Sequence, residues 1–284
     1  MRFLAICFLI ILFTSVSGFC ADNTDAAEPE MVITEKKVLQ KGELPEEISR
    51  FHEVLNTGKL RVIGESRDGL PRYYAVSRAK LDARRRIRTD LLDFPLMGFS
   101  GIQELESRNP EFAVLFTEYL ERAEPCEGTH MNFSQGDKKG YFCMEIPFED
   151  LRKEILDHEP VPDEQKVPPF NPEADPILSD YGCIIVDTGG YSFVPAILNR
   201  VLSNTGELVW MPGEDSTTPV YTFNVTDAVS SLIGAGCRKP FTAKVKEVQR
   251  YTDAVLTYTD ALEISRILAE NSDAPVYFVF NYRD

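Results

Sequence analysis

Several things are scarce in this sequence, and each scarcity narrows the chemistry. No Cys-x-x-Cys pair occurs, which removes the spacing expected of a zinc site or a thioredoxin-type redox centre. Histidine is nearly absent: His52, His130 and His158 are far apart and fall at or near predicted loops or helix ends. They read as unrelated, exposed side chains rather than a metal site or a triad. No nucleophile motif and no internal repeat linking the two halves is present, and nothing in the sequence calls for a cofactor or a metal. Basic residues are outnumbered, 30 Lys and Arg against 45 Asp and Glu, for a net charge of −15. A chain this acidic is repelled by nucleic acid and by anionic lipid, so DNA or RNA binding is disfavoured. The apolar run Phe3 to Phe13 is too short to cross a bilayer as a helix, which takes about 20 residues, and no membrane-spanning run follows it.

What is present begins with an export signal over residues 1–20. Arg2 supplies the basic start, Phe3 to Phe13 the apolar core, and Thr14-Ser15-Val16-Ser17-Gly18 the small-residue end. Removing this segment takes away one positive charge and leaves −16. Cys20 invites a lipidated amino terminus, but bulky Phe19 precedes it where that cleavage takes Gly, Ala or Ser. Ordinary cleavage near Gly18 or Cys20 is therefore expected. The protein reads as exported, periplasmic or associated with an outer membrane. In an oxidising compartment Cys126, Cys143, Cys183 and Cys237 are disulfide candidates with three pairings open to them. Pairing within each half, Cys126 with Cys143 and Cys183 with Cys237, is expected, each bridge stabilising by roughly 3 kcal/mol. Four buried thiols are the alternative.

The chain then divides by composition into a predicted α+β protein of two domains, each a small mixed or antiparallel sheet with helices packed on it. Residues 21–48 are polar and acidic and read as a tether. Residues 49–156 form the first domain. It opens with a short helix from Pro45 to Leu55 and a strand at Leu60 to Gly64. From Tyr73 to Leu92, Val76, Ala79, Ala83, Ile87 and Leu91 recur at helical spacing and predict an amphipathic helix. Asn109-Pro110-Glu111 starts another, with Asn as cap and Pro at the first position. A strand over Gly140 to Pro147 and a helix over Phe148 to Leu156 close the domain. Residues 157–180 hold six prolines and seven acids against one lysine, an extended linker.

Residues 181–284 form the second domain. Cys183 to Val186 is an unbroken apolar run, which predicts a buried strand. Asp187 ends it and Gly189-Gly190 forces a turn. Ser203 to Gly206 separates the run Val194 to Leu202 from Glu207 to Trp210 in hairpin fashion. A strand at Val220 to Phe223, a helix at Val225 to Ile233 and an alternating strand at Phe241 to Val248 follow. Asp260 and Glu263 suggest a capping box for the next helix. Pro275 to Tyr282 is strongly apolar and is expected in the middle of the sheet.

Two stretches carry a family resemblance. Val62-Ile63-Gly64 leading into Ala79-Lys80-Leu81-Asp82-Ala83-Arg84-Arg85 resembles a bacterial envelope family. That family groups small membrane-associated lipoproteins with the N-terminal domain of flagellar assembly protein T. Gly182 to Asp187, Pro195-Ala196-Ile197, Arg200-Val201 and Gly206-Glu207 resemble a C-terminal domain often found after it, and Pro240 to Val248, Asp260-Ala261 and the last apolar strand follow in the same order. Thr188-Gly189 stands where that domain has Ala-Arg. The resemblance implies an exported envelope protein, sometimes connected with flagella, with envelope or flagellar proteins as partners and no catalysis.

Three functions fit the residues. The first is a non-enzymatic interaction or assembly module. Between residues 61 and 92 nine Lys and Arg stand against four Asp and Glu; this reads first as a solvated helix face neutralised within the chain, and the alternative is a docking face for an acidic partner or anionic surface, formed by Arg78, Arg84, Arg85 and Arg88. The second is a dimeric aspartic-type peptidase. Ile184-Ile185-Val186-Asp187-Thr188-Gly189 has the form of an aspartic peptidase turn, whose chemistry needs two carboxylates sharing a proton. One copy of Asp187-Thr188-Gly189 requires a second chain, and Leu232-Ile233-Gly234, which would support the site, is predicted helical. The third is a periplasmic small-ligand module with Tyr181, Tyr191, Phe193 and Trp210 as an aromatic platform; such residues are more often core. Asn132-Phe133-Ser134 and Asn224-Val225-Thr226 are glycosylation sequons, relevant only in a eukaryote.

Overall fold

The computed structural model of the chain describes residues 46–98, 100–128, 130–157, 166–172, 178–213 and 218–280. The signal, Cys20, His158, nearly all of the tether and parts of the linker lie outside the described residues.

Helix α1 (Glu46–Thr57) buries Phe51, Val54 and Leu55 and stops at Gly58, whose φ of 68° gives the left-handed conformation of a helix end. Strand β1 (Lys59–Glu65) follows, buried and exposed residues alternating along it. Helix α2 (Arg72–Leu92) lies across it on Ala75, Ala79, Ala83, Ile87 and Leu91, all at most 1% exposed. After α2 come two short strands, β2 (Pro95–Met97) and β3 (Ser100–Gly101), and helices α3 (Ile102–Arg108) and α4 (Pro110–Leu120). Asn109 caps α4 as expected, its side chain accepting from the N–H groups of Glu111 and Phe112. Strands β4 (Glu124–Pro125), β5 (Met131–Ser134) and β6 (Lys139–Pro147) and helix α5 (Phe148–Asp157) complete this half. The first sheet is antiparallel, with β6 between β1 on one side and β4 and β5 on the other.

Helix α2 approaches this sheet unusually closely, because the residues at the contact are the smallest available. A Cβ on Gly64 of β1 would lie 2.2 Å from the Ala79 carbonyl oxygen and from the Ala83 nitrogen, and one on Gly140 of β6 would lie 2.5 Å from the Ala75 carbonyl carbon. Glycine on the strands and alanine on the helix let backbone meet backbone.

The second half contains β7 (Cys183–Asp187), β8 (Arg200–Ser203), β9 (Leu208–Trp210), β10 (Val220–Thr222), α6 (Val225–Gly234), β11 (Pro240–Lys244), β12 (Glu247–Gln249), β13 (Asp253–Leu256), α7 (Tyr258–Glu270) and β14 (Val276–Val279). They build two sheets. One has the order β10-β14-β7-β11, and every neighbouring pair in it is parallel. The other, β12-β13-β8-β9, is mixed. The parallel sheet departs from the expectation of mixed or antiparallel pairing. It follows from burial: every residue of β7 and of β14 is buried, the condition in which parallel strands are found. On one face Cys183, Ile185, Tyr277 and Val279 meet Ala228 and Leu232 of α6. On the other, Phe278 packs against Phe193, Trp210 and Tyr221. The last strand is central, as expected.

Two expectations are corrected. The alternating run Phe241 to Val248 is not one strand. The chain leaves the parallel sheet at Val245, whose N–H bonds the Asp187 carbonyl, and enters the mixed sheet at Lys246, whose N–H bonds the Val255 carbonyl. Alternation continues through the crossing, so the pattern hides it. The cap of α7 lies one turn earlier than Asp260: Thr257 accepts from the Asp260 N–H and donates to the Asp260 carboxylate. Glu263 instead accepts from the Ser179 hydroxyl at 2.6 Å.

The halves also meet. Pro95 and Leu96 of β2 accept hydrogen bonds from the N–H groups of Ile197 and Leu198, and one buried apolar cluster runs through residues of both halves. Part of the proline-rich linker is docked as well: Leu208 N–H bonds the Pro168 carbonyl at 2.7 Å and Phe170 N–H bonds the Leu208 carbonyl at 2.8 Å. Both expected disulfides are present, Cys126 with Cys143 and Cys183 with Cys237, at Cα separations of 5.5 and 6.2 Å.

Candidate functional site

The outer side of α2 is where charge accumulates. Its inner stripe is alanine, isoleucine and leucine, so the arginines are displaced to the solvent side by helical geometry. The predicted four divide into two kinds. Arg78 and Arg84 are exposed and make no ion pair with the described residues. Arg85 is exposed but bound to Asp82 at 2.7 Å, and Arg86 joins the same carboxylate at 2.8 Å. Arg88 has a structural task. It pairs with Glu106 of α3 and lies 5.5 Å from the centre of the Phe116 ring, holding α2 to α3 and α4. It is therefore withdrawn from the face. Tyr73 and Tyr74 at the start of α2 are exposed as well; they are 80% and 62% exposed and meet edge to face. The sequence signal for them was present, since both tyrosines lie off the apolar stripe.

Asp82 anchors this region. Burial opposes its charge, but the Glu65 N–H and the guanidiniums of Arg86 and Arg85 outweigh burial and hold its carboxyl below the ordinary value. Glu145 on β6 is held low chiefly by its hydrogen bond from Arg61, against burial, with Lys59 assisting.

Asp187 ends the central strand β7 and is 5% exposed. Its Oδ1 accepts from the Gly189 N–H, and the Thr188 hydroxyl donates to the Val279 carbonyl at 2.9 Å. Gly189 and Gly190 both have positive φ. The Asp187-Thr188-Gly189 turn thus locks β7 to β14, and Leu232-Ile233-Gly234 lies at the end of α6 rather than on a strand. The four aromatic residues do not form one platform. Phe193 and Trp210 are core, whereas Tyr181 and Tyr191 are half-buried: Tyr181 packs on Phe241 and under Lys239, and the Tyr191 hydroxyl donates to the Lys246 carbonyl.

His130 and His52 are not brought together into a shared metal site; among the described residues no three of His, Cys, Asp and Glu converge as metal ligands. His130 packs its ring on Phe142. His52 works with Asn56 across the two halves. Asn56 donates to the Tyr221 carbonyl at 2.8 Å and accepts from the Tyr221 N–H at 2.9 Å, capping the edge of β10 as a further strand would. His52 bonds the same carbonyl and its ring lies 4.5 Å from that of Phe223. Burial lowers the His52 pKa below its usual value, the Tyr221 carbonyl and Glu53 opposing in part.

Sequence reasoning missed the most buried ion pair among the described residues. Arg200 of β8 and Asp253 of β13 face each other across parallel strands at 2% and 1% side-chain exposure, joined by two hydrogen bonds. Beside them Asn199 donates to the carbonyls of Val194 and Thr252 and accepts from the Tyr221 hydroxyl. The Thr252 hydroxyl reaches the Gly98 N–H in the first half. An arginine within an apolar run and an acid heading another were the only signals. In comparison with known proteins, the chain matches no family model and no curated sequence.

Proposed function

We propose that the protein is an exported, non-enzymatic cell-envelope module that docks an acidic partner through the outer side of α2, with a flagellar or other envelope assembly as its setting. The observation that carries this is Arg78, exposed one turn from exposed Tyr74, with Arg84 exposed further along the same helix, neither having a carboxylate partner among the described residues, on a chain of net charge −15. Guanidinium beside exposed aromatic surface is the composition of a binding patch rather than of a solvated helix. The two disulfides support export, because such bonds persist in oxidising compartments. No helix among the described residues is long and apolar enough to cross a membrane. The resemblance to the lipoprotein and flagellar-assembly family supports the envelope.

Crosslinking in the native envelope, with mass spectrometry of the attached proteins, tests this reading. Wild-type protein is expected to give reproducible links from α2 to an envelope component, and Arg78→Glu/Arg84→Glu to lose them while remaining folded. Unchanged links in the double variant would remove α2 as the docking face.

A further inference from the structure

Strand β1 has one satisfied edge and one open edge. Cys143, its neighbour on β6, directs its N–H to the His130 carbonyl at 2.7 Å and accepts from the Cys126 N–H at 3.2 Å, both on the far side of β6. Its cross-strand neighbour Ile63 is therefore in a non-hydrogen-bonded pair, with its own N–H and C=O directed away from β6. Alternation gives Arg61 the same orientation. The two ends of this edge are closed. The Thr57 hydroxyl serves the main chain of Lys59, and Asp82 accepts the Glu65 N–H at 3.0 Å. Between them no strand among the described residues pairs with β1 on this side. Lys59 and Arg61 do not shield the gap, because both lean inward to Glu145 at 3.2 and 2.9 Å. Ile63 stands at the centre of the gap, 55% exposed.

The rim of this edge is cationic. The Asp82 that closes one end holds Arg85 and Arg86 there, and exposed Arg78 is one helical turn before it. We propose that the open edge of β1 receives an extended acidic segment of a partner protein as an added strand, a proposal that rests on the reading of the protein as a docking module. Arg61 and Ile63 supply the main-chain donors and acceptors, Ile63 packs against an apolar residue of the segment, and the arginine rim pairs with its carboxylates. Charge selects this occupant. A second copy pairing edge to edge would set Lys59 and Arg61 against their own counterparts. A polyanion without a peptide backbone could not continue the ladder.

The test is a nuclear magnetic resonance titration of the whole exported chain with two short peptides, one alternating threonine with glutamate around a central isoleucine, the other with lysine in place of glutamate. The acidic peptide is expected to shift the Arg61 and Ile63 amides and slow their hydrogen exchange; the basic one is not. Ile63→Pro removes one outward N–H and leaves the ladder groups of Val62 and Gly64 in place, and is expected to weaken binding about tenfold. Ile63→Glu, which keeps the N–H but adds a like charge, is expected to weaken it as well. Equal binding of both peptides, shifts confined to other strands, or no response to either variant would overturn the proposal. So would Arg61 and Ile63 amides already protected without peptide. Protection that rises with protein concentration would assign the edge to a second copy, and protection lost on deleting residues 21–45 would assign it to the chain's own acidic segment. Peptide binding at β1 with unchanged α2 crosslinks in Arg78→Glu/Arg84→Glu would sink the α2 reading alone.

Discussion

Replacing Gly64 by alanine adds one methyl group at the tightest point of the first half. The new carbon would stand 2.2 Å from two backbone atoms of α2 and 2.7 Å from the Ala83 Cα, whereas ordinary contact begins at 3.4 Å. None of these atoms belongs to a flexible side chain, so relief requires α2 and β1 to part by about 1 Å, a large gap for a close-packed interior. That movement loosens Ala75, Ala79 and Ala83 together, since all three rest on the same strands. Overpacking of this kind costs about 1–3 kcal/mol, and the shared loss along the helix places Gly64→Ala at the upper end, about 3 kcal/mol. Urea unfolding with both disulfides intact measures it as a fall in midpoint at unchanged slope. Gly58→Ala is the control. That site is open, and its φ of 68° leaves only the backbone penalty, about 1 kcal/mol. A Gly64→Ala protein no less stable than Gly58→Ala would refute the account of how α2 sits on its sheet.

Three further outcomes are expected. Arg200→Met or Asp253→Leu alone leaves a buried charge without its partner and should cost about 3–5 kcal/mol, whereas the double variant should recover most of that loss by thermal or urea unfolding; a double variant as unstable as the worse single one would contradict it. The pKa of His52 is lowered below 6.5 by burial, so the unfolded chain takes up its proton first as pH falls. Its contribution is complete above about pH 6.5, is lost as pH falls toward the folded pKa and is constant below it; unfolding of wild type and His52→Gln at pH 7.5 and 5 should show the smaller acid loss in the variant. Mass spectrometry of the unfolded, unreduced protein should find Cys126, Cys143, Cys183 and Cys237 closed to alkylation, and reduction should lower stability by roughly 3 kcal/mol per bridge; four reactive thiols would remove both bridges.

The elements legible in the sequence are those with a strong local period. The helix α2 shows its stripe at Ala79, Ala83, Ile87 and Leu91, and β7 and β14 show unbroken apolar runs. What a local pattern cannot carry is the partner of a strand. Nothing within Cys183 to Asp187 says that it pairs in parallel with Pro240 to Lys244 and with Val276 to Val279. The step between sheets at Val245 and Lys246 keeps the alternation of a single strand, so it leaves no trace. The arginine side of α2 was half legible for a related reason. Helical spacing placed Arg78, Arg84, Arg85 and Arg88 outside the core, but whether each is free depends on Asp82 of the same helix and on Glu106 of another. Trp210 was ambiguous because an aromatic side chain suits a platform and a core equally well, and only the opposing Phe278 decides between them.

The position of β14 has a consequence for biogenesis. It follows every other strand among the described residues yet lies between β10 and β7, so the parallel sheet has a gap at its centre until residues 276–279 have been made. During synthesis β7 can pair with β11 on one side but lacks its β14 neighbour for more than eighty residues, and the aromatic interior around Phe278 has nothing to close upon. A sheet completed by this strand cannot close before residues 276–279 are present, whereas the mixed sheet has all its strands by Leu256.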